Sequence, residues 1–198
     1  MSSRIDVLKE GYSRWLSPDS MAANGTSVLI RSNQMNVVFD TCGPWDRQHL
    51  IDKLSSFGVH CEDIHQLVCS HTHTDHIGNI NLFTNCQHII GDHVYREDVY
   101  QFDRLKNGID LSPDMRVVST PGHTNDSISL IVKNVDKLGT IAITGDLFEC
   151  ESDLKDDSLW INAGSQDIDK QRENRLMILN ISDHIIPGHG IIFRSKII

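Results

Sequence analysis

The sequence predicts an α/β (α+β) fold with four layers in the order αββα, in which two β-sheets pack face to face and helices cover their outer sides. Two observations predict this fold. Several short strand-like segments precede a helix, and the same order of strands and then a helix occurs again in the second half of the chain. The length of 198 residues suits one domain with a substantial core, so residues 1–198 are expected to form a single domain.

The first half begins with four predicted strands, which are Ile5–Lys9, Tyr12–Leu16, Ser27–Arg31 and Val37–Asp40. A helix is expected over Asp46–Phe57, because Leu50 and Leu54 recur at helical spacing on one face. Gly58 suits the end of that helix, since glycine adopts the left-handed backbone conformation without strain. A short buried strand is then expected at Gln66–Cys69, directly before a histidine-rich segment.

The second half repeats this order with strands and one further helix. Strands are expected at His88–Gly91, Met115–Ser119, Ser127–Lys133, Thr140–Thr144 and His184–Ile186, and the helix is expected at Asp169–Ile181. The loops Ser17–Gly25 and Glu149–Asp157 are expected to lie around the functional site and to influence its choice of substrate.

The segment His71-Thr72-His73-Thr74-Asp75-His76 holds three imidazoles and one carboxylate within six positions. These nitrogen and oxygen ligands suit Zn²⁺, Fe²⁺ or Mn²⁺. His71 and His73 point the same way from extended backbone, and a short helix beginning near Ile77 is expected to add a favourable dipole for a metal-bound hydroxide. The alternative is chance clustering in a chain with 11 histidines, for which we assign roughly one chance in a few hundred.

Three later turns add potential ligands. His123 follows Pro121-Gly122, Asp146 follows Gly145 at the end of an apolar strand, and His189 lies between two glycines. Each turn alone is most often an ordinary loop. Together they place every additional ligand at a strand end, so that all of them could lie at one edge of the sandwich. The sequence therefore predicts a metal site built from distant segments.

This series of motifs resembles the metallo-β-lactamase superfamily. The matching stretches are Phe39–Trp45, Asp75–Asn79 with Leu82-Phe83, Thr120–His123, Leu138–Thr140, Gly145–Glu149 and Ile186–Gly190. They extend from about residue 37 to the end of the chain. The resemblance implies the αββα metallo-β-lactamase sandwich and a hydrolase that uses a hydroxide shared by two metals.

The resemblance also assigns roles to matched residues. It implies that the first metal is held by His71, His73 and His123, that the second is held by Asp75, His76 and His189, and that Asp146 bridges both. Asp75 would in addition orient the nucleophile, as a catalytic residue. The cofactor is expected to be two divalent ions, with zinc favoured and iron or manganese as alternatives.

Several substrates are compatible with such a site. A narrower resemblance within the superfamily implies an endoribonuclease of the type that processes histone pre-mRNA. The first alternative is a thioester or lactone hydrolase of the glyoxalase II type, and the second is an iron-dependent oxidoreductase. A metal-binding module without catalysis ranks last, because a degenerate relative should have lost a ligand and none is lost. The formal net charge of −9 argues mildly against a broad nucleic-acid-binding face.

Three further residues have competing interpretations. Asp40 is expected either to hydrogen-bond a ligand histidine or to serve as a turn residue. His93 would line the substrate mouth, with a surface position as the alternative, and Trp160 would form a wall of the cleft or belong to the core. Five other histidines are interpreted as structural or surface residues, namely His49, His60, His65, His88 and His184.

The composition also suggests where the protein works and with what. Five scattered cysteines without a CxxC pair fit a reducing compartment, so a cytosolic location is expected, with the nucleus as an alternative. Charged residues interrupt the first stretch, and the longest apolar runs, such as Ser127–Val132, are too short for a bilayer, so no membrane partner is expected. The family resemblance implies a homodimer.

Overall fold

Two β-sheets form the centre of the computed structural model, which describes residues 3–32 and 35–196. In chain order the strands are β1 (Arg4–Lys9), β2 (Tyr12–Ser17), β3 (Ser20–Asn24), β4 (Ser27–Arg31), β5 (Asn36–Phe39), β6 (Gln66–Cys69), β7 (Gln87–Ile90), β8 (His93–Arg96), β9 (Val99–Gln101), β10 (Ile109–Ser112), β11 (Met115–Ser119), β12 (Ile128–Val135), β13 (Gly139–Ile143), β14 (His184–Ile186) and β15 (Phe193–Arg194). The helices are α1 (Arg47–Ser56), α2 (Thr74–Ile77), α3 (Asp157–Asn162) and α4 (Ile168–Ile181).

The two halves of the chain each form one sheet. The first sheet has the spatial order β1-β4-β5-β6-β7-β8-β9, and β6 pairs in parallel with both of its neighbours. The second sheet keeps sequence order from β10 to β15 and is antiparallel except between β13 and β14. Strands β2 and β3 form a separate hairpin outside both sheets.

Three apolar interfaces separate four layers. Between the sheets, Phe39 and Val68 of the first sheet belong to the same buried cluster as Leu130 of the second. On the outer side of the first sheet, Leu50 and Leu54 of α1 pack in the cluster that contains strand residues of β4, β5 and β6. On the outer side of the second sheet, Ile178 of α4 packs with strand residues of β12, β13 and β14. The predicted αββα sandwich is therefore confirmed.

Local chemistry explains where the outer helices begin. The Asp167 side chain accepts a hydrogen bond from the Lys170 backbone N–H at 3.0 Å, which satisfies one free donor at the start of α4. Asp156 does the same for Ser158 at 2.9 Å before α3. In the part of the chain that the structure describes, no helix has the length and apolar character needed to cross a membrane.

The observed elements differ from the predicted ones in a few places. The short helix α2 begins at Thr74 rather than near Ile77, so Asp75 and His76 lie within it, and the expected dipole argument does not apply. Part of the predicted loop Ser17–Gly25 is strand β3. Strands β8, β9, β10 and β15 were not predicted, since each is four residues or shorter and mostly exposed or half-buried.

Candidate metal centre

The predicted ligands lie where strands of both sheets end. His71, His73, Asp75 and His76 follow β6 in the first sheet. From the second sheet, His123 lies between β11 and β12, Asp146 follows β13, and His189 follows β14. Because β13 and β14 are parallel, their carboxyl ends meet at one sheet edge, and this brings Asp146 and His189 together. The structure thus brings together all seven residues that the sequence singled out as ligands.

The first group consists of His71, His73, His123 and Asp146, each with one ligand atom within 4.8 Å of the others. The His71 Nε2 and His73 Nδ1 atoms are 2.8 Å apart, and His123 Nε2 is 3.1 Å from His73 Nδ1. Asp146 Oδ2 lies 3.4 Å from His123 Nε2 and 3.7 Å from His71 Nε2. Such spacings suit ligand atoms that share one cation at about 2.1 Å.

The second group consists of Asp75, His76 and His189. Asp75 Oδ2 lies 3.8 Å from the Nε2 atom of each histidine. Asp146 also borders this group, because its Oδ1 is 3.2 Å from His76 Nε2 and its Oδ2 is 3.2 Å from His189 Nε2. Asp146 therefore has the position that a carboxylate shared by two metals would need.

Unsatisfied buried atoms show that these residues fit divalent cations. His76 Nε2 and Asp146 Oδ1 are both buried, and neither makes a hydrogen bond within the described residues, although they lie only 3.2 Å apart. Buried polar atoms are normally paired, because leaving one unpaired costs free energy. A cation between them would satisfy both atoms. The ligand set of imidazoles and carboxylates is suited to zinc, iron or manganese.

Asp40 and Ser70 orient two of the candidate ligands. The Asp40 carboxylate accepts hydrogen bonds from His76 Nδ1 at 2.8 Å, from Ser70 Oγ at 2.8 Å and from the Ser70 backbone N–H at 2.6 Å. Ser70 Oγ is in turn 3.0 Å from His71 Nδ1 and accepts from it. With both Nδ1 atoms used as donors, the Nε2 atoms are left as free ligands. Asp40 thus makes the predicted contact with a candidate ligand histidine.

His189 is oriented by the backbone of the β2–β3 hairpin. Its Nδ1 donates to the carbonyl oxygens of Asn24 at 3.1 Å and Tyr12 at 3.2 Å, which leaves Nε2 directed at Asp146. Gly188 is required at the preceding position, because a Cβ there would lie 1.9 Å from Asp146 Oδ1. This close approach explains a glycine directly before the histidine.

The charges of the group shift the pKa values of its members. Burial, together with the neighbouring His76, lowers the pKa of His71 well below its ordinary value. Burial also acts to lower the pKa of His189, but Asp146 and Glu149 outweigh it and raise that pKa to about 9. The pKa of Asp146 lies well below its ordinary value despite burial, because His76 and His189 stabilise its charged form. The negative charge of Asp146 therefore favours the protonated, positively charged form of His189.

One residue beside the site was not predicted as a possible ligand. Glu149 is buried, and its Oε2 lies 3.8 Å from His189 Nε2. Its carboxylate groups with Asp146 and His189 as a third potential set of metal ligands. In the sequence its only signal is a carboxylate three positions after Asp146, at the start of the loop Glu149–Asp157 that is expected to lie around the site. Its importance depends on burial, which the sequence does not display.

The weaker candidates lie outside both ligand groups. His93 is exposed, and its Nδ1 lies 3.0 Å from Asp92 Oδ1. It pairs with Ile90 of β7, and Ile90 pairs with Cys69 at the end of β6. His93 therefore lies at the same edge of the first sheet as the candidate ligands. Trp160 is fully buried and donates from Nε1 to Asp157 Oδ1 at 3.1 Å, which makes it a core residue. Structural hydrogen bonds to backbone groups are made by His49, His65, His88 and His184.

Sequence comparison places this site in a known family. A family model described as the metallo-β-lactamase superfamily matches residues 22–189. The chain belongs to the metallo-β-lactamase superfamily. It is similar to "Metallo-beta-lactamase domain-containing protein 1" of Xenopus laevis, with 39% identity over 96% of this chain and 81% of that protein. The protein of the same name from Mus musculus is 34% identical over 95% of this chain and 73% of its own length.

Solved structures of superfamily members share the fold. A structure titled as the quorum-quenching N-acyl homoserine lactone hydrolase superposes with a TM-score of 0.73 and 17% identity, covering 96% of this chain and 93% of that one. Likeness at this identity concerns the fold alone. Superfamily members are generally metal-dependent hydrolases that bind divalent metals, and this chain is placed among them with a complete His and Asp cluster.

Proposed function

We propose that this chain is a two-metal endoribonuclease that cleaves single-stranded RNA. The observation that carries the proposal is the convergence of two ligand groups on one shared carboxylate, Asp146. Adjacent metal sites of this kind are used by nucleases and phosphatases for in-line displacement at phosphorus. His71, His73 and His123 would hold one metal, while Asp75, His76 and His189 would hold the other. Zinc is the metal we propose for the first of these sites.

The chain's own residues supply the positioning. When bound, two divalent metals would activate a water molecule near neutral pH and offset negative charge that develops on the substrate. Asp75 is the most exposed carboxylate of the group, with a side chain 23% exposed against 5% for Asp146. It would therefore face the substrate and orient the attacking water. Asp40 would keep the proton on His76 Nδ1, and the hairpin carbonyls would do the same for His189.

Aromatic groups near the site support a single-stranded substrate. Trp15 and Tyr12 are exposed on the hairpin whose backbone holds His189, and Arg14 lies between them in sequence. Exposed aromatic rings can stack on unpaired bases without sequence preference, and an arginine can pair with phosphate. With a net charge of −9, affinity would depend on these few groups and on the metals rather than on a broad basic face.

The test is cleavage of a labelled single-stranded RNA by metal-loaded protein, with His71→Ala purified in parallel and the exposed Glu151→Gln as a matched control. We expect internal cleavage by the unaltered protein and by the control, and a loss of at least about a hundredfold in His71→Ala, because one metal would be lost. Absence of cleavage from a sample that contains two metals per chain would contradict the RNA substrate.

A small lactone or thioester is the second candidate substrate. A cavity of about 180 Å³ beside the metal centre is lined by Trp15, Met21, Leu159 and Glu149, and its apolar wall suits an acyl chain. A solved fold neighbour is titled as an N-acyl homoserine lactone hydrolase. Ring opening of an N-acyl lactone, measured on the same protein sample as the RNA assay, separates the two candidates. The iron-dependent oxidoreductase has no such observation in its favour.

A further inference from the structure

Glu149 carries a buried carboxylate that no hydrogen bond accounts for. The residue is 5% exposed, and its Oε1 makes no hydrogen bond within the described part of the chain. Arg175 is hydrogen-bonded to Asp153 and to the carbonyl of Leu147, and the basic group that lies beside the Glu149 carboxylate is the His189 imidazole, 3.8 Å away. A buried carboxyl group is costly in its charged form unless a positive partner lies beside it, and a divalent cation would supply more positive charge than an imidazole does.

The backbone around Glu149 is fixed on both sides. Its N–H donates to Asp153 Oδ2 at 2.7 Å, and its carbonyl accepts from the His189 N–H at 2.9 Å. The second of these bonds ties Glu149 directly to a candidate metal ligand. The carboxylate is therefore held beside His189 by the fold, with Oε2 3.8 Å from His189 Nε2.

We infer that Glu149 is an additional ligand of the second metal and makes that site accept a hard ion such as Mn²⁺ more readily than the first site does. This inference rests on the proposed two-metal site. The first site offers three imidazoles and one shared carboxylate, a set that suits tetrahedral zinc. Two groups of possible ligands meet at His189: Asp75 and His76 lie on one side of it, and Asp146 and Glu149 lie on the other. With Glu149, the metal at His189 therefore has more carboxylates within reach than the first metal has. An oxygen-rich set with a higher ligand number suits Mn²⁺ or Fe²⁺.

Metal binding itself is the test, so that its result does not depend on which substrate is cleaved. Metal-free protein is given one equivalent of Zn²⁺ per chain and an excess of Mn²⁺, and bound metal is measured by elemental analysis and by electron paramagnetic resonance of bound Mn²⁺. We expect one zinc and one manganese per chain in the unaltered protein. Glu149→Gln should keep the zinc and bind manganese at least about tenfold more weakly.

Two further variants separate ligation from a structural role. Glu149→Asp keeps the charge on a shorter side chain and should retain part of the manganese binding, whereas Glu151→Gln changes an exposed neighbour and should bind both metals normally. Manganese affinity unchanged in Glu149→Gln would overturn the inference. No manganese bound to the unaltered protein after this loading would overturn the difference between the two sites. If the metals bind as expected but RNA is not cleaved, only the proposed substrate fails.

Discussion

At the scale of single residues, the ligand set depends on residues that would never touch a metal. Asp40 accepts three hydrogen bonds and determines which nitrogen of His76 carries the proton. It has a left-handed backbone conformation, with φ of 58°, in which aspartate and asparagine are more easily accommodated than other non-glycine residues. The position is thus restricted by its backbone as well as by its hydrogen bonds.

Asp40→Asn should weaken metal binding while the fold is kept. Asparagine tolerates the same backbone conformation, but it presents an amide NH₂ where Asp40 Oδ2 now accepts from His76 and Ser70. We expect metal affinity to fall by about 10- to 100-fold, the usual effect of losing the partner of a ligand histidine. Competition with a coloured chelator measures this, and the exposed Asp19→Asn serves as the control. Equal affinity in Asp40→Asn and the unaltered protein would show that the contact does not orient His76.

At the scale of elements, the β2–β3 hairpin is anchored to the rest of the protein by a polar cluster. Asp46 accepts a hydrogen bond from Asn24 Nδ2 at 2.5 Å and pairs with Lys9, and Asn24 Oδ1 accepts from the Gly43 N–H at 2.9 Å. Asn24 is also the residue whose carbonyl holds His189. The hairpin thus links the end of β1 and the start of α1 to the metal centre.

Acid should weaken the fold through this cluster. Burial acts to raise the pKa of Asp46, but Asn24 and Lys9 outweigh it, so the folded pKa lies below the ordinary value of 3.8. Because the pKa of Asp46 is lower in the folded protein than in the unfolded chain, its charged form stabilises the fold above about pH 4, and this stability is lost as the pH falls through the pKa of the folded protein. Asp46→Asn should therefore unfold at a lower denaturant concentration at pH 7 and lose less stability between about pH 4 and pH 2. Parallel pH profiles for the variant and the unaltered protein would contradict this, with Asp19→Asn as the control.

The elements also show what the sequence reveals and what it hides. The strands β4 and β6 were predicted because each is a continuous apolar run buried on both sides. The hairpin strand β3, Ser-Met-Ala-Ala-Asn, has no alternating or β-branched pattern, and its pairing with β2 stabilises it instead. The histidine motifs were visible because several ligands lie close in sequence. Glu149 was missed, since its role arises from burial beside His189, a residue 40 positions later.

At the scale of the whole molecule, the metal centre joins the two sheets. Four candidate ligands follow β6 of the first sheet, and three come from turns of the second sheet. The apolar interface between the sheets holds them together along their length. At the edge that carries the site, buried carboxylates and imidazoles replace apolar packing. The homodimer and the cytosolic location expected from the sequence stay predictions at this scale.

Removal of metal should therefore lower the stability of the entire fold. Without cations, the carboxylates of Asp146 and Glu149 lie close together at the edge that joins the sheets and disfavour each other's charge. A ligand that binds only the folded state at 100 times its Kd adds about 2.7 kcal/mol. For a chain of this size, that corresponds to a rise in Tm of roughly 5–10 °C. Thermal unfolding followed by circular dichroism, with and without a strong chelator, measures the difference.

His123→Ala provides the matched control for this measurement. It removes one candidate ligand that comes from the second sheet, so the first metal should be bound weakly or lost. The chelator should therefore lower the Tm of the variant by less than it lowers the Tm of the unaltered protein. The exposed His93→Ala should respond to the chelator as the unaltered protein does. A chelator response as large in His123→Ala as in the unaltered protein would mean that the metals do not join the sheets through this residue.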